Sequence, residues 1–538
     1  MHAQTQRFWN SVMTSLTSAD KREIGQHFVF GFHGHEISED VKVLIRDYHV
    51  GNIILMKRNV QDVKQVHRLV QSLQQLAKES GHSRPLMIGI DQENGLISAF
   101  TSSTAGTQFP GAMALAATGS PEIAEECSAA TAREMKLAGI NWAYSPVADV
   151  NSNPKNPVIG VRSFGDDPDE VAKYASAVSR GLMQGGVAPC AKHFPGHGDT
   201  HIDSHLALPV IEKTEDELME TELVPFHILV ESGIPTIMTG HMALPLITGD
   251  NTPCSLSTTI TTDLLREKMG YGGVIVTDCL EMNAVAASYT PQKGAVMALQ
   301  AGADIAMICH TMKVQRGAIE ETYAAVENGS LSLESLRKSG QRIAALKFAY
   351  AGTSWADVFE PFHEQALADL LIRNAHLSAE SYAVSTASIR GTLPVVRKDD
   401  GPVLVMAPVM EYLALEQSVA RRTNLRHLLY TPLPAHGRGQ LPDEISGALR
   451  ATSAIIFVTR NADRSGWQVD YLRRLLQEKR GATPIIILVS CAPYDVVGAP
   501  DIQEPCLASF EYTPAALEAA VAVIFGEREA KGQVPVSL

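Results

Sequence analysis

The sequence lacks paired cysteines. Its seven, Cys127, Cys190, Cys254, Cys279, Cys309, Cys491 and Cys506, are scattered, with no CxxC spacing. That excludes a disulfide framework and fits a reducing compartment. Positive charge is also in deficit. Lys and Arg number 45 against 59 Asp and Glu, a formal net charge of −14, so the basic footprint of a general nucleic-acid binder is missing. No apolar run approaches the ~18 residues of a membrane span. The opening MHAQTQRFWNSVMTSL has no apolar core of the kind a secretory signal needs. No internal repeat or low-complexity tract interrupts the chain. A soluble, cytoplasmic protein without membrane or nucleic-acid partners is expected.

What the chain does have is alternation. Its 538 residues are 45% hydrophobic, enough for two or three cored domains. Short continuous apolar runs occur at 27–32, 52–56, 86–91, 140–147, 187–194, 236–242, 273–278 and 305–309. Such runs suit strands buried on both faces of a parallel sheet. Amphipathic helical patterns lie between them. Ser120-Pro121 and Thr290-Pro291 carry helix-start signals, and Gly139, Gly233 and Gly302 carry stop signals. Eight strand–helix units over residues 1–345 read as a (β/α)8 TIM-type barrel, with an open doubly wound sheet as the alternative. Residues 346–375 read as a connection. Residues 376–538 read as a smaller α/β/α sandwich with strands at 401–408, 426–431, 453–460, 483–490 and 506–512.

Barrel enzymes carry their chemistry at the C-terminal ends of strands. Here those ends are polar: Asp91 and then Glu93, Lys192-His193, His241 and Asp278, with Asp149, Asn151 and Arg162 in the loop after the fourth run. Charged groups ending buried strands need partners or a ligand. The fifth run opens into AKHFPGHGDTHIDSHLALP (191–209), with His193, His197, His201 and His205 four apart. That spacing suggests a metal site on a helix, but Pro195, Gly196 and Gly198 oppose a helix there. There is also no HExxH, so no metal and no cofactor are expected. The second reading is acid–base chemistry. Asp203-Ser204-His205 lets a carboxylate fix the tautomer of an imidazole two residues on.

KHFPGHGDTHIDSHLALP (192–209) closely resembles the signature of the β-N-acetylglucosaminidases of glycoside hydrolase family 3, the NagZ-like branch. IGIDQENG (88–95), FPGAMALAATGS (109–120), SPVADVNSNPKNPVIGVRSFG (145–165) and GVIVTDCLEM (273–282) support the likeness in order. The C-terminal part, ending GQVPVSL, is similar to the second domain of two-domain members. The resemblance implies Asp278 as nucleophile and His205 as general acid/base oriented by Asp203. It implies Asp91, Arg162, Lys192 and His193 as contacts to the sugar, with His241 and Met282 lining the same pocket. His197 and His201 receive no chemistry. Two departures stand out. Asn94-Gly95-Leu96-Ile97 replaces a Gly-Gly-Arg-Val continuation, which bears on local ion pairing, and Cys279 follows the nucleophile where many relatives have Asp.

The activity implied is a retaining removal of terminal β-linked N-acetylglucosamine through a glycosyl-aspartate intermediate. The alternative is phosphorolysis, with phosphate as acceptor to a neutral histidine base. A non-catalytic sugar-binding protein is disfavoured by the intact Asp278, Asp203 and His205.

Overall fold

The computed structural model describes residues 15–101, 105–394, 396–408, 412–432, 441, 447–449, 452–479 and 483–538. Most of the N-terminal segment read for a signal, residues 1–14, lies outside them.

Eight parallel strands close on themselves: β1 (Phe28–Phe30), β2 (Asn52–Leu55), β3 (Met87–Ile90), β4 (Trp142–Ala143), β5 (Ala188–Phe194), β6 (Thr236–Thr239), β7 (Val274–Cys279) and β8 (Ile305–Ile308). Each falls within or over its apolar run, so the barrel reading holds and the open-sheet alternative does not. The runs look uniformly apolar because both faces are buried. Alternate residues nevertheless sort into two cores. Phe28, Phe30, Ile53 and Ile88 pack outward against the helices, while Val29, Ile54, Met87, Trp142 and Met238 fill the barrel interior. Inside it the Trp142 indole N–H donates to Thr236 Oγ1 at 3.0 Å.

The helix signals hold as well. Ser120 and Thr290 cap the helices Pro121–Leu137 and Pro291–Gln300 with their side chains. Gly139, Gly233 and Gly302 all have positive φ just past helix ends. One reading differs. The pattern TEDELMETELVPFHILVESG forms two helices, Glu215–Glu220 and Val224–Glu231, because Pro225 has no N–H to donate and suits a helix start.

Six further strands build a second sheet in the order β9-β14-β13-β12-β10-β11. They are β9 (Ala387–Arg390), β10 (Val403–Ala407), β11 (Leu425–Leu429), β12 (Ala454–Thr459), β13 (Ile485–Val489) and β14 (Cys506–Ala508). Apolar clusters cover both faces, giving the sandwich. β9 has no counterpart in the sequence reading. It is a half-exposed edge strand, Ala-Ser-Ile-Arg, antiparallel to β14, and it shows no apolar run. The segment 346–375 holds the end of the helix Leu333–Tyr350, a single turn at Trp355–Val358 and the first half of the helix Glu364–Ser385.

The second sheet braces the barrel's upper loops. Arg464 donates to the carbonyls of Asn156 at 2.5 Å and Pro157 at 3.3 Å. Asn151 donates to Tyr494 Oη at 3.1 Å. The buried Glu511 carboxylate accepts from Gly111 N at 2.9 Å, from Thr513 and from Tyr382. No helix among the described residues is long and apolar enough to cross a membrane.

Candidate active site

A cavity of about 390 Å³ opens at the C-terminal end of the barrel strands. That is near the lower end of the ~300–1,000 Å³ usual for small-molecule sites. Asp91, Arg162, Lys192, His193, His205, Asp278 and Met282 all line it. A larger cavity of about 540 Å³ lies elsewhere, by Asn141 before β4 and Gly139, and holds none of these residues.

The cavity floor is an ion-pair network. Lys192 Nζ lies 2.8 Å from Asp91 Oδ1 and 2.7 Å from Glu93 Oε1. Arg162 grips Glu93 with two nitrogens, at 2.9 and 2.7 Å. Burial pushes the Glu93 carboxyl up, but the charges of Arg162 and Lys192 outweigh it and hold it down at about 2. Burial likewise opposes the charge on Lys192, and Asp91 and Glu93 restore it, so its pKa is raised. Glu93, two residues past Asp91, was noted in the sequence only as a polar strand-end residue. It pairs with both Arg162 and Lys192.

The next layer is built on Asp149, which is fully buried. Its Oδ2 lies 2.7 Å from His193 Nδ1. Its Oδ1 accepts from the backbone N–H groups of His193 and His197, at 3.0 and 2.7 Å. The carboxylate therefore fixes the His193 ring with Nδ1 protonated and leaves Nε2 to face Arg162 at 3.5 Å. Burial pushes Asp149 up, and the neighbouring His193 brings it below its ordinary value. The sequence placed Asp149 in the right loop but gave it no role, since nothing in one sequence links positions 149 and 193.

Asp278 ends β7. Burial pushes its carboxyl up. The imidazoles of His241 and His193, the Cys279 N–H and Lys192 more than offset this, and its pKa is lowered. The Cys279 N–H donates to Oδ1 at 2.6 Å. His241 corrects the expectation made for it. It does not line the cavity but lies fully buried behind it, with Nδ1 2.7 Å from Ser255 Oγ and Nε2 3.0 Å from the Cys279 carbonyl oxygen. A strand-end histidine looks alike in sequence whichever side of the strand it faces.

The histidine loop leaves β5 through Gly196 and Gly198. A Cβ on Gly198 would meet the Val150 carbonyl oxygen at 1.6 Å, so only glycine fits that close approach. His197 is buried, bonded to Thr200 Oγ1 and Ser204 Oγ at 2.9 and 3.0 Å. Burial and the nearby His193 press it down to about 4, so it stays neutral. His201 lies on the surface against Asn153. Asp203 and His205 form a pair: Oδ1 accepts from the His205 backbone N–H and lies 2.8 Å from Nδ1. The His205 side chain is 62% exposed. Ser204 between them is pinned, to His197 on one side and through its carbonyl to the Ala284 N–H, 3.2 Å away, on the other. Ala284 lies in the segment that leaves β7 just after Asp278 and Cys279, so the loop is tethered to the chain that follows Asp278.

Comparison with known proteins gives the same family as the motifs. Residues 19–346 match the glycosyl hydrolase family 3 N-terminal domain. Beta-hexosaminidase A of Pseudoalteromonas piscicida is 30% identical over 94% of this chain and 91% of its own length. A glycoside hydrolase family 3 beta-N-acetylglucosaminidase from Paenibacillus sp. has a solved structure that superposes with a TM-score of 0.86 at 33% identity, covering 97% of this chain and 99% of that one. A fungal multi-domain beta-N-acetylglucosaminidase of the same family gives 0.89 at 40% identity over 96% of this chain, which spans 60% of the fungal one. With a domain match over most of the barrel and relatives aligned along nearly its whole length, the chain belongs to glycosyl hydrolase family 3.

Proposed function

We propose that the protein is a retaining exo-acting β-N-acetylglucosaminidase, its barrel holding one terminal sugar and its second unit, from about residue 376, bracing the loops around it. The observation that carries the reading is the meeting of Asp278, the Asp203–His205 pair and the Asp91–Lys192–Arg162–His193 floor at one small cavity. The names of the relatives, beta-hexosaminidase and beta-N-acetylglucosaminidase, support the sugar.

In this reading the floor holds the sugar hydroxyls. Asp278, kept ionised by its surroundings, attacks the anomeric carbon as His205 gives its proton to the leaving oxygen. The C–O bond breaks and a glycosyl-aspartate forms. His205, now neutral, takes a proton from water as that water attacks, and Asp278 leaves as carboxylate. Two carboxylates ~5–5.5 Å apart usually divide these tasks. A histidine oriented by Asp203 does the second here. The buried free thiols support a reducing, cytoplasmic setting.

The test is product analysis on chitobiose, a muropeptide fragment and an aryl β-N-acetylglucosaminide, with phosphate varied. Release of β-configured N-acetylglucosamine regardless of phosphate is expected. Sugar 1-phosphate as main product would replace the hydrolase by the phosphorylase, a reading the exposed position of His205 also accommodates. Inverted product would overturn Asp278 as nucleophile.

A further inference from the structure

One wall of the cavity carries donors that glycoside cleavage does not use. Cys279 Sγ, a carboxylate oxygen of Glu281 and a ring nitrogen of His310 all lie within 4.8 Å of one another. The thiol end is buried, Glu281 is half-buried and His310 is exposed, so the group is closed below and open to solvent above. A fourth donor adjoins it, the buried Cys309 thiol, which hydrogen-bonds with Cys279.

The barrel's register makes this cluster. Met307 lies opposite Cys279, which brings Cys309 and His310, just past β8, beside the end of β7. The His310 N–H donates to Glu281 Oε2 at 2.7 Å and holds that carboxylate in place. In a tetrahedral site with metal–ligand bonds of 2.0–2.3 Å, ligand atoms stand about 3.5 Å apart. The three atoms stand within 4.8 Å, so binding would need a closure of about an ångström, which turning the exposed His310 ring would give. The mixed sulfur, nitrogen and oxygen donor set suits zinc-class ions; calcium and magnesium take oxygen ligands.

We propose that Cys279, Glu281 and His310, with Cys309 as fourth donor, bind a zinc-class divalent ion, and that the bound ion inhibits the enzyme. The ion would sit beside Asp278, to which Cys279 is joined by both the chain and the 2.6 Å N–H bond. A dication there pairs with the carboxylate charge and narrows the sugar cavity. Each coordinating thiol gives its proton to water, and nothing is oxidised. Arg58 gives up its 3.1 Å bond to His310 Nδ1 and keeps its 2.6 Å bond to the Cys309 carbonyl. The binding half stands without any assignment of activity. The inhibitory half rests on Asp278 as nucleophile.

The full chain, stripped of metal and kept reduced by a phosphine, is titrated with Co²⁺ and then Zn²⁺. A near-ultraviolet thiolate-to-cobalt band that zinc bleaches at one equivalent is expected. Cys279→Ser should weaken the band, and Cys279→Ser with Cys309→Ser should abolish it. His310→Ala should weaken zinc binding by at least the ~10–100-fold that removal of an outer-shell partner costs. Zinc should inhibit turnover of an aryl N-acetylglucosaminide, reversibly with chelator, and His310→Ala should escape at the same zinc concentration. Absence of the cobalt band, or equal zinc affinity in the parent and His310→Ala, overturns the site. A cobalt band without inhibition overturns only the inhibitory half. Because His310 is exposed, its variant decides the matter even if Cys279→Ser fails to fold, with thermal unfolding in chelator as the folding control.

Discussion

Lys192 and His205 belong to the same strand and loop, yet they sit in opposite environments. The Lys192 side chain is 3% exposed and has two carboxylates within 2.8 Å. His205 is 62% exposed and has one side-chain partner, Asp203. The floor is a set of paired charges around buried Lys192 and Glu93, with Arg162 and Asp91 half-buried at its edge. Breaking one leaves its partner unpaired in a low-dielectric place, at a cost of several kcal/mol. The dyad costs little to disturb, and its imidazole is open to water. Binding and proton transfer thus draw on different physics: fixed, paired charge for the first, an accessible ring for the second.

Substitutions can break that comparison. The largest effect is expected from Asp278→Ala, which should cut turnover by ~10⁴-fold or more, as loss of a covalent nucleophile does; near-normal steady-state rates would remove it from the mechanism. His205→Ala should cost ~10²–10⁴-fold on substrates with poor leaving groups. It should spare the first step for an activated aryl glycoside and leave the unfolding midpoint where it was, since an exposed position shifts stability by only about ±0.5 kcal/mol. Equal rate loss on both substrates would argue against the acid role. Lys192→Met should behave oppositely, lowering stability by about 3–5 kcal/mol because Glu93 and Asp91 lose a buried cation, and denaturant titration measures it. If Lys192→Met proved as stable as the parent, the floor would not be the rigid half.

Asp149→Asn sharpens the contrast within the floor. An amide can turn its oxygen to the two backbone N–H groups, but its NH₂ then meets His193 Nδ1 and reverses the ring's tautomer. A loss of about 1–3 kcal/mol is expected, shared between stability and sugar affinity, and comparing KM with the unfolding free energy apportions it. The smallest effect is in pH. Glu93 is held at about 2, against an ordinary 4.5. Because the folded value is the lower one, its contribution is complete above 4.5 and is lost as pH falls toward 2. Glu93→Gln should flatten the stability profile in that window, whereas His205→Ala should keep the parent's slope there.

Much of this was legible from the chain. All eight barrel strands follow from buried apolar runs, and the helix caps at Ser120 and Thr290 from their residues. β9 was not, because a half-exposed edge strand needs no apolar run. Asp278, Asp203 and His205 could be singled out because strand ends and a specific motif mark them. Asp149 and Glu93 were visible only as polar residues near strand ends, since their partners His193, Arg162 and Lys192 lie 44 or more positions away. His241 was misplaced because whether a side chain at the end of a strand faces the cavity or the packed layer behind it depends on barrel geometry.

The sequence by itself determined the barrel, the sandwich, the family and the three residues proposed to carry the reaction, because apolar periodicity, capping residues and a contiguous motif are local. Tertiary structure alone decided which charges pair in the floor and that His205 stands exposed while Lys192 and His193 are buried. It also brought Cys279, Cys309 and His310 together beside Asp278. Those are properties of strand register and loop path, which bring residues from separate units of the barrel to the same few ångströms, and no single stretch of the chain encodes them.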